Sequence, residues 1–198
     1  KMAKPTLSDT KIDNYMSVVD DGNKSDHSSG GTVTPETGIG VDKAVDAANK
    51  DVDKMILAWS AEINKAGKTI NNLIVTDIYE MANGSNVSAL SLIKDELVIK
   101  TVSGKVLNEV TDYKVEILTR QIPGTSEMME SGFKITFKNT VTEKLMISYK
   151  TKFDINKQNE LKESGKFPSV AGNRFSNTLF AEYLDENGDI QKVGDQAE

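Results

Sequence analysis

The sequence predicts an all-β chain, an antiparallel two-sheet sandwich of immunoglobulin-like type with a flexible N-terminal segment. Three observations predict it. From Gly38 onward, apolar and polar residues alternate in short runs separated by turn residues at fairly regular spacing. Convincing helical periodicity is scarce, and no internal repeat is visible. The first 34 residues are polar, and Asp20–Gly31 (DDGNKSDHSSGG) has the composition of a linker. Residues 1–34 therefore read as a tail, a linker or the remnant of an adjoining domain, and residues 35–198 as the sandwich.

Each element follows from its own pattern. Ile12, Tyr15, Met16, Val18 and Val19 form a short apolar patch before the linker-like run. Gly38–Ala47 alternates around Val41 and Val45. Met55–Ile63 alternates with Leu57, Trp59, Ala61 and Ile63 on one face, and Asn64–Lys68 is a turn. Thr69–Tyr79 is the next strand, closed by Asn83 and Gly84. Val87–Thr101 has mixed periodicity, read as a helical turn near Ser91–Glu96 before a strand over Leu97–Val102. Tyr113–Gln121 places Tyr113, Val115, Ile117 and Thr119 on one side, and Pro123–Gly132 reads as a long loop carrying Met128 and Met129. Phe133, Ile135 and Phe137 alternate with polar neighbours, as do Leu145, Ile147, Tyr149 and Thr151. A hairpin closes the chain: Phe175–Leu184 and Asp189–Val193 around Asp185–Asp189 (DENGD).

Composition narrows the chemistry. The 198 residues contain 37% hydrophobic and 27% charged residues, with a net charge of −6 and a pI near 5.0. That balance disfavours nucleic acid or an anionic membrane surface as a partner. No run is long and apolar enough for a membrane span, and Lys1–Pro5 does not read as a signal peptide. Without cysteine there are no disulfides, thiol nucleophiles or zinc–thiolate sites. One histidine, His27, lies in the polar stretch, so Ser–His–Asp and metal–His catalysis lack their raw material. Carboxylates are plentiful but form no spaced pair. Asp185–Asp189 only superficially resembles a calcium loop, having no glutamate at the downstream spacing. No cofactor, resident metal or turnover enzyme is expected.

Three polar residues break the apolar faces. Lys43 lies between Val41 and Val45, Asp77 follows Leu73 and Val75 at alternate positions, and Asn177 lies between Phe175 and Leu179. Residues two apart in a strand share a face, so all three are expected to point inward. Burial disfavours the ammonium and the carboxylate alike, leaving a neutral amine and a protonated acid. Such an amine can add to the Asn177 amide carbon while Asp77 moves protons and ammonia departs, forming an intramolecular isopeptide bond in a single turnover. A plain alternative is an edge lysine that snorkels outward, with Asp77 in a turn and Asn177 in a loop. Lys50 and Lys54 are rival donors, and Asn173 is a rival for Asn177.

Four segments carry a resemblance. Ile56–Asn64 (ILAWSAEIN), Lys68–Asp77 (KTINNLIVTD), Ile147–Phe153 (ISYKTKF) and Phe175–Leu179 (FSNTL), in this order, resemble the sandwich domains of Gram-positive collagen adhesins and pilins (the MSCRAMM, Cna-type family). The resemblance spans residues 38–185. It implies a surface protein anchored to the cell wall of a Gram-positive bacterium and attaching to host matrix of the collagen or fibrinogen class. It equally allows a load-bearing stalk or pilin domain whose partners are neighbouring domains of the same protein. By position it implies that Lys43 and Asn177 are crosslinked, with Asp77 as the proton shuttle.

Overall fold

The computed structural model describes residues 10–20, 23–33, 38–80, 87–165 and 174–197. The chain divides into two compact units, Lys1–Thr37 and Gly38–Glu198. In the first, β1 (Thr10–Asp20) pairs antiparallel with β2 (Asn23–Val33), from Thr10 opposite Val33 to Asp20 opposite Asn23. The linker-like run thus supplies a strand. Its Ser- and Gly-rich composition conceals this, because a partner strand needs only its backbone N–H and C=O groups.

The second unit is a two-sheet sandwich. Its elements among the described residues are β3 (Val41–Val45), β4 (Ile56–Ile63), β5 (Asn71–Ile78), β6 (Leu90–Thr101), β7 (Tyr113–Gln121), β8 (Met128–Phe137), β9 (Leu145–Phe153), α1 (Ile155–Glu163), β10 (Asn177–Leu184) and β11 (Ile190–Ala197). One sheet has the order β11-β10-β5-β8-β7 and the other β3-β4-β9-β6. Every pairing within them is antiparallel.

The core lies between the sheets and obeys the alternation. Trp59, Ile63, Ile99, Ile147 and Tyr149 face Leu73, Val75, Phe133, Ile135 and Leu179, all buried. Each such side chain contributes roughly 1.5–3 kcal/mol of apolar burial. Trp59 lies in this core, and its Nε1 donates to Thr151 Oγ1 at 2.9 Å, so the indole is buried without an orphan donor.

The structure differs from the sequence expectation in four places. Ser91–Glu96 is strand, not a helical turn: β6 runs through it, with a register shift between Ile93 and Val98. A bulge there reverses the parity of the later residues, which gives the segment its mixed periodicity. The loop is shorter than Pro123–Gly132, since β8 begins at Met128. Met128 is exposed in that strand, and Met129 packs against a small second cluster with Val87, Ala89, Ile122 and Leu161. The inward face of β7 fails after Val115, leaving Ile117 43% exposed, and a second shift falls between Leu118 and Thr119. Finally, α1 is a helix where the sequence predicts none. Asp154 caps it, its Oδ1 accepting from Lys157 N at 2.9 Å. Only Gln158 and Leu161 of this helix are buried, so it has almost no apolar stripe to read.

Candidate functional site

The strand pattern brings Lys43, Asp77 and Asn177 into the sandwich interior. Lys43 comes from the edge strand β3, opposite Ala61 of β4. Asp77 comes from β5, the middle strand of the other sheet, opposite Phe133 on one side and Leu179 on the other. Asn177 stands two residues before Leu179 at the start of β10 and so shares the inward face of Asp77. Asp77 and Asn177 have no solvent exposure, and Lys43 retains 7%. The snorkelling alternative is excluded, because the Lys43 side chain itself is fully covered. The close approach of β8 to β5 at this point requires a glycine. Gly132 has φ +150°, and a Cβ there would lie 2.0 Å from the Asp77 carbonyl oxygen.

A fourth residue joins them. Tyr149, from the central strand β9, donates its hydroxyl proton to Asp77 Oδ2 at 2.6 Å. It accepts from Asn177 Nδ2 at 3.1 Å. Lys43 Nζ donates to both Asp77 Oδ2 and the Tyr149 hydroxyl. The amine also lies 5.4 Å from the Trp59 ring centre and 5.0 Å from that of Tyr149. Phe133 meets the Tyr149 ring edge-on at 5.0 Å and closes the site. The alternation along β9 places Tyr149 on an inward face but assigns it no role. Its signal is an inward hydroxyl two residues from Ile147 and from Thr151, and only proximity to the other three distinguishes it.

Burial controls the protonation. It pushes the Lys43 amine below the usual lysine range, against the opposing pull of Asp77 and, more weakly, of Asp195. It pushes the Asp77 carboxyl up, against the pull of Lys43, Tyr149 and Asn177, and the Tyr149 phenol well up. Two oxygens are left over: neither Asp77 Oδ1 nor Asn177 Oδ1 has a hydrogen-bond partner. Buried acceptors without donors are costly. A proton on Asp77 would turn one of these acceptors into a donor.

The rival lysines do not enter the site. Lys50 is exposed beyond β3. Lys54 is exposed and pairs with Asp51 at 2.9 Å. Asn173 lies outside the described residues. Asp185–Asp189 is the hairpin turn between β10 and β11, with Asp185 Oδ1 accepting from the backbone N–H groups of Asn187 (2.9 Å) and Asp189 (3.0 Å). Among the described residues no cluster of three or more His, Asp or Glu side chains is placed to hold a metal.

The opposite face of the same strands carries a groove of about 580 Å³. Ala44, Ser60 and Ser148 line it with small side chains, and Asp42, Glu62 and Lys100 add charge. Lys65 pairs with Asp42, and Lys144 with Glu62 at 2.8 Å. Strand β9 therefore serves both faces, presenting Tyr149 inward and Ser148 outward.

Known proteins share this architecture. A family model described as "Collagen binding domain" matches residues 41–178. The collagen-binding subdomain of the Enterococcus faecalis surface protein ACE superposes with a TM-score of 0.50 at 12% identity, over 83% of this chain and 97% of that one. A longer ACE structure, described as binding its ligands by the collagen hug model, gives 0.53 at 12% identity, over 93% of this chain and 58% of that one. The major pilin subunit of Bacillus cereus gives 0.46 at 13% identity, over 93% of this chain and 46% of that one. No curated protein matches the sequence.

Proposed function

We infer a function from one premise: this chain belongs to the collagen-binding domain family, whose model spans most of its sandwich. The chain acts as an adhesin domain on the outside of a Gram-positive bacterium, attaching it to host collagen. Collagen is preferred to fibrinogen as the ligand, because the small side chains along part of the groove suit a rod of three extended chains with glycine at every third position. The groove on the outer face of β3, β4 and β9 is the contact surface. Ala44, Ser60 and Ser148 allow close approach of a backbone, and the charged rim orients it.

The domain is held by an isopeptide bond between Lys43 and Asn177, made once as it folds. The observation that carries this reading is the buried quartet with its two unpartnered oxygens. The neutral amine of Lys43 adds to Asn177 Cγ, Asp77 donates to the amide oxygen and takes a proton from the attacking nitrogen, and ammonia leaves. The bond ties the first strand of the sandwich to β10 and closes most of the domain into one loop, an effect of roughly 4–5 kcal/mol if disulfide-like loop entropy applies. That bond also supports a second reading, a stalk or pilin domain, in which neighbouring domains are the partners and tension passes through the crosslink.

Intact-mass measurement tests the bond. The wild-type chain should be lighter by one ammonia, and Lys43→Ala, Asp77→Ala and Asn177→Ala should each have their calculated mass. Wild type at its calculated mass sinks the crosslink. Immobilised collagen tests the face: Ser60→Trp and Ser148→Trp, crosslinked normally, should bind at least about tenfold more weakly than wild type. Wild type that ignores collagen yet carries the crosslink selects the stalk.

A further inference from the structure

We propose that Tyr149 is a catalytic residue of the crosslinking reaction, the acid that hands a proton to the departing nitrogen of Asn177. This rests on the crosslink reading above and adds a step that Lys43, Asp77 and Asn177 leave unassigned. Asp77 can serve the attacking amine and the amide oxygen, but the leaving nitrogen needs a donor of its own to depart as ammonia. Among the described residues, Nδ2 of Asn177 donates to the Tyr149 hydroxyl at 3.1 Å. The same hydroxyl lies 2.6 Å from Asp77 Oδ2 and contacts Lys43 Nζ. The leaving group, the acid and the nucleophile therefore meet at one oxygen.

The protons balance. In the planar amide Nδ2 is only a donor, so the hydroxyl accepts from it and donates to Asp77. When Lys43 Nζ bonds to Cγ, the carbonyl electron pair moves to Oδ1, which takes the Asp77 proton. The cationic lysine nitrogen gives one proton to Asp77 Oδ2. In this tetrahedral adduct Nδ2 is pyramidal and carries a lone pair. The hydroxyl then rotates, donates to Nδ2 and recovers a proton from Asp77 Oδ2. The C–N bond breaks, Oδ1 returns its proton to Asp77, and ammonia leaves. Asp77 and Tyr149 end as they began, with one amide made and one broken. Burial keeps the phenol protonated at neutral pH. The Phe133 and Trp59 rings beside the hydroxyl's partners exclude water that would otherwise substitute for it.

The test tracks ammonia loss by intact mass after pulsed cell-free synthesis of the 198-residue chain, with Trp59 fluorescence as the folding control. Tyr149→Phe should fold and then crosslink ~10²-fold or more slowly than wild type, the range of a lost general acid. A second arm places ring-fluorinated tyrosines at position 149. A proton relay makes the rate depend on phenol acidity, whereas a packing role leaves it unchanged. Wild-type kinetics in Tyr149→Phe, or rates indifferent to fluorination, overturn the relay while the crosslink stands. A wild-type chain that never loses ammonia overturns both.

Discussion

Two of the buried polar sites in the sandwich are built on opposite terms. At one end, the Gln158 amide of α1 is fully buried and neutral. Its Oε1 accepts from Ala89 N at 2.7 Å, and its Nε2 donates to the carbonyls of Val87 (3.1 Å) and Arg174 (3.4 Å). In the interior, Lys43, Asp77, Tyr149 and Asn177 are equally buried, but they bring two titratable groups pushed toward neutrality and two oxygens with no donor. A satisfied amide fixes the strands and loops around it and has nothing left to do. An unsatisfied set carries a cost in the folded domain, which the proposed crosslink would relieve. Glu130 lies between these cases: ionisable and partly buried, yet with Oε1 accepting from both Tyr79 OH (2.8 Å) and Leu92 N (2.7 Å).

The largest effect should come from removing the reactive site's acid. Asp77→Ala should leave the chain at its uncrosslinked mass and lower its urea-unfolding free energy by roughly 4–5 kcal/mol, the loop constraint that the proposed bond would supply. A variant as stable as wild type would make the quartet no different in kind from Gln158. Next comes Gln158→Ala, which orphans Ala89 N and the Val87 carbonyl. It should cost roughly 2–4 kcal/mol by thermal denaturation while the crosslink still forms. Loss of the crosslink in that variant would couple two sites that share no hydrogen bond.

The smallest effect concerns pH. Burial raises the Glu130 carboxyl above its usual range, as the leading cause, against its hydrogen bonds from Leu92 and Tyr79. A raised folded-state value means that its contribution is full below the ordinary glutamate range and is lost as pH rises through the raised value. Glu130→Gln keeps an acceptor oxygen for Tyr79 and Leu92 and removes the charge. Stability measured from acid to neutral pH should therefore flatten. At neutral pH the variant should match or exceed wild type by under about 1 kcal/mol, since the carboxylate is still partly solvated. A variant that is weaker at neutral pH would show that the charge itself strengthens those two bonds.

Much of this is legible in the chain, for reasons that particular residues make plain. Trp59, Ala61 and Ile63 announce β4, and Leu73, Val75 and Asp77 announce β5, because a strand buried on one face writes a period of two. The same parity puts Lys43, Asp77 and Asn177 inside. Legibility fails where a bulge breaks the period, at Ile93–Val98 in β6 and at Leu118–Thr119 in β7. It fails in β2, whose Ser- and Gly-rich composition gives no strand signal, and in α1, whose buried residues are one amide and one leucine.

By itself, then, the sequence determined which side chains leave water in regular strands such as β4, β5 and β9, since alternation is a local property and burial results from it. It also removed thiol chemistry, since cysteine is absent, and placed its one histidine in the polar stretch. What only the tertiary structure decided is who meets whom. Lys43 and Tyr149 belong to one sheet, Asp77 and Asn177 to the other, and no spacing along the chain encodes their convergence. Sheet order, the register that sets Asp77 opposite Leu179, and the absence of a Cβ at Gly132 bring the four together. Reactivity depends on that proximity and on the dielectric it creates, and both are properties of the packed sandwich.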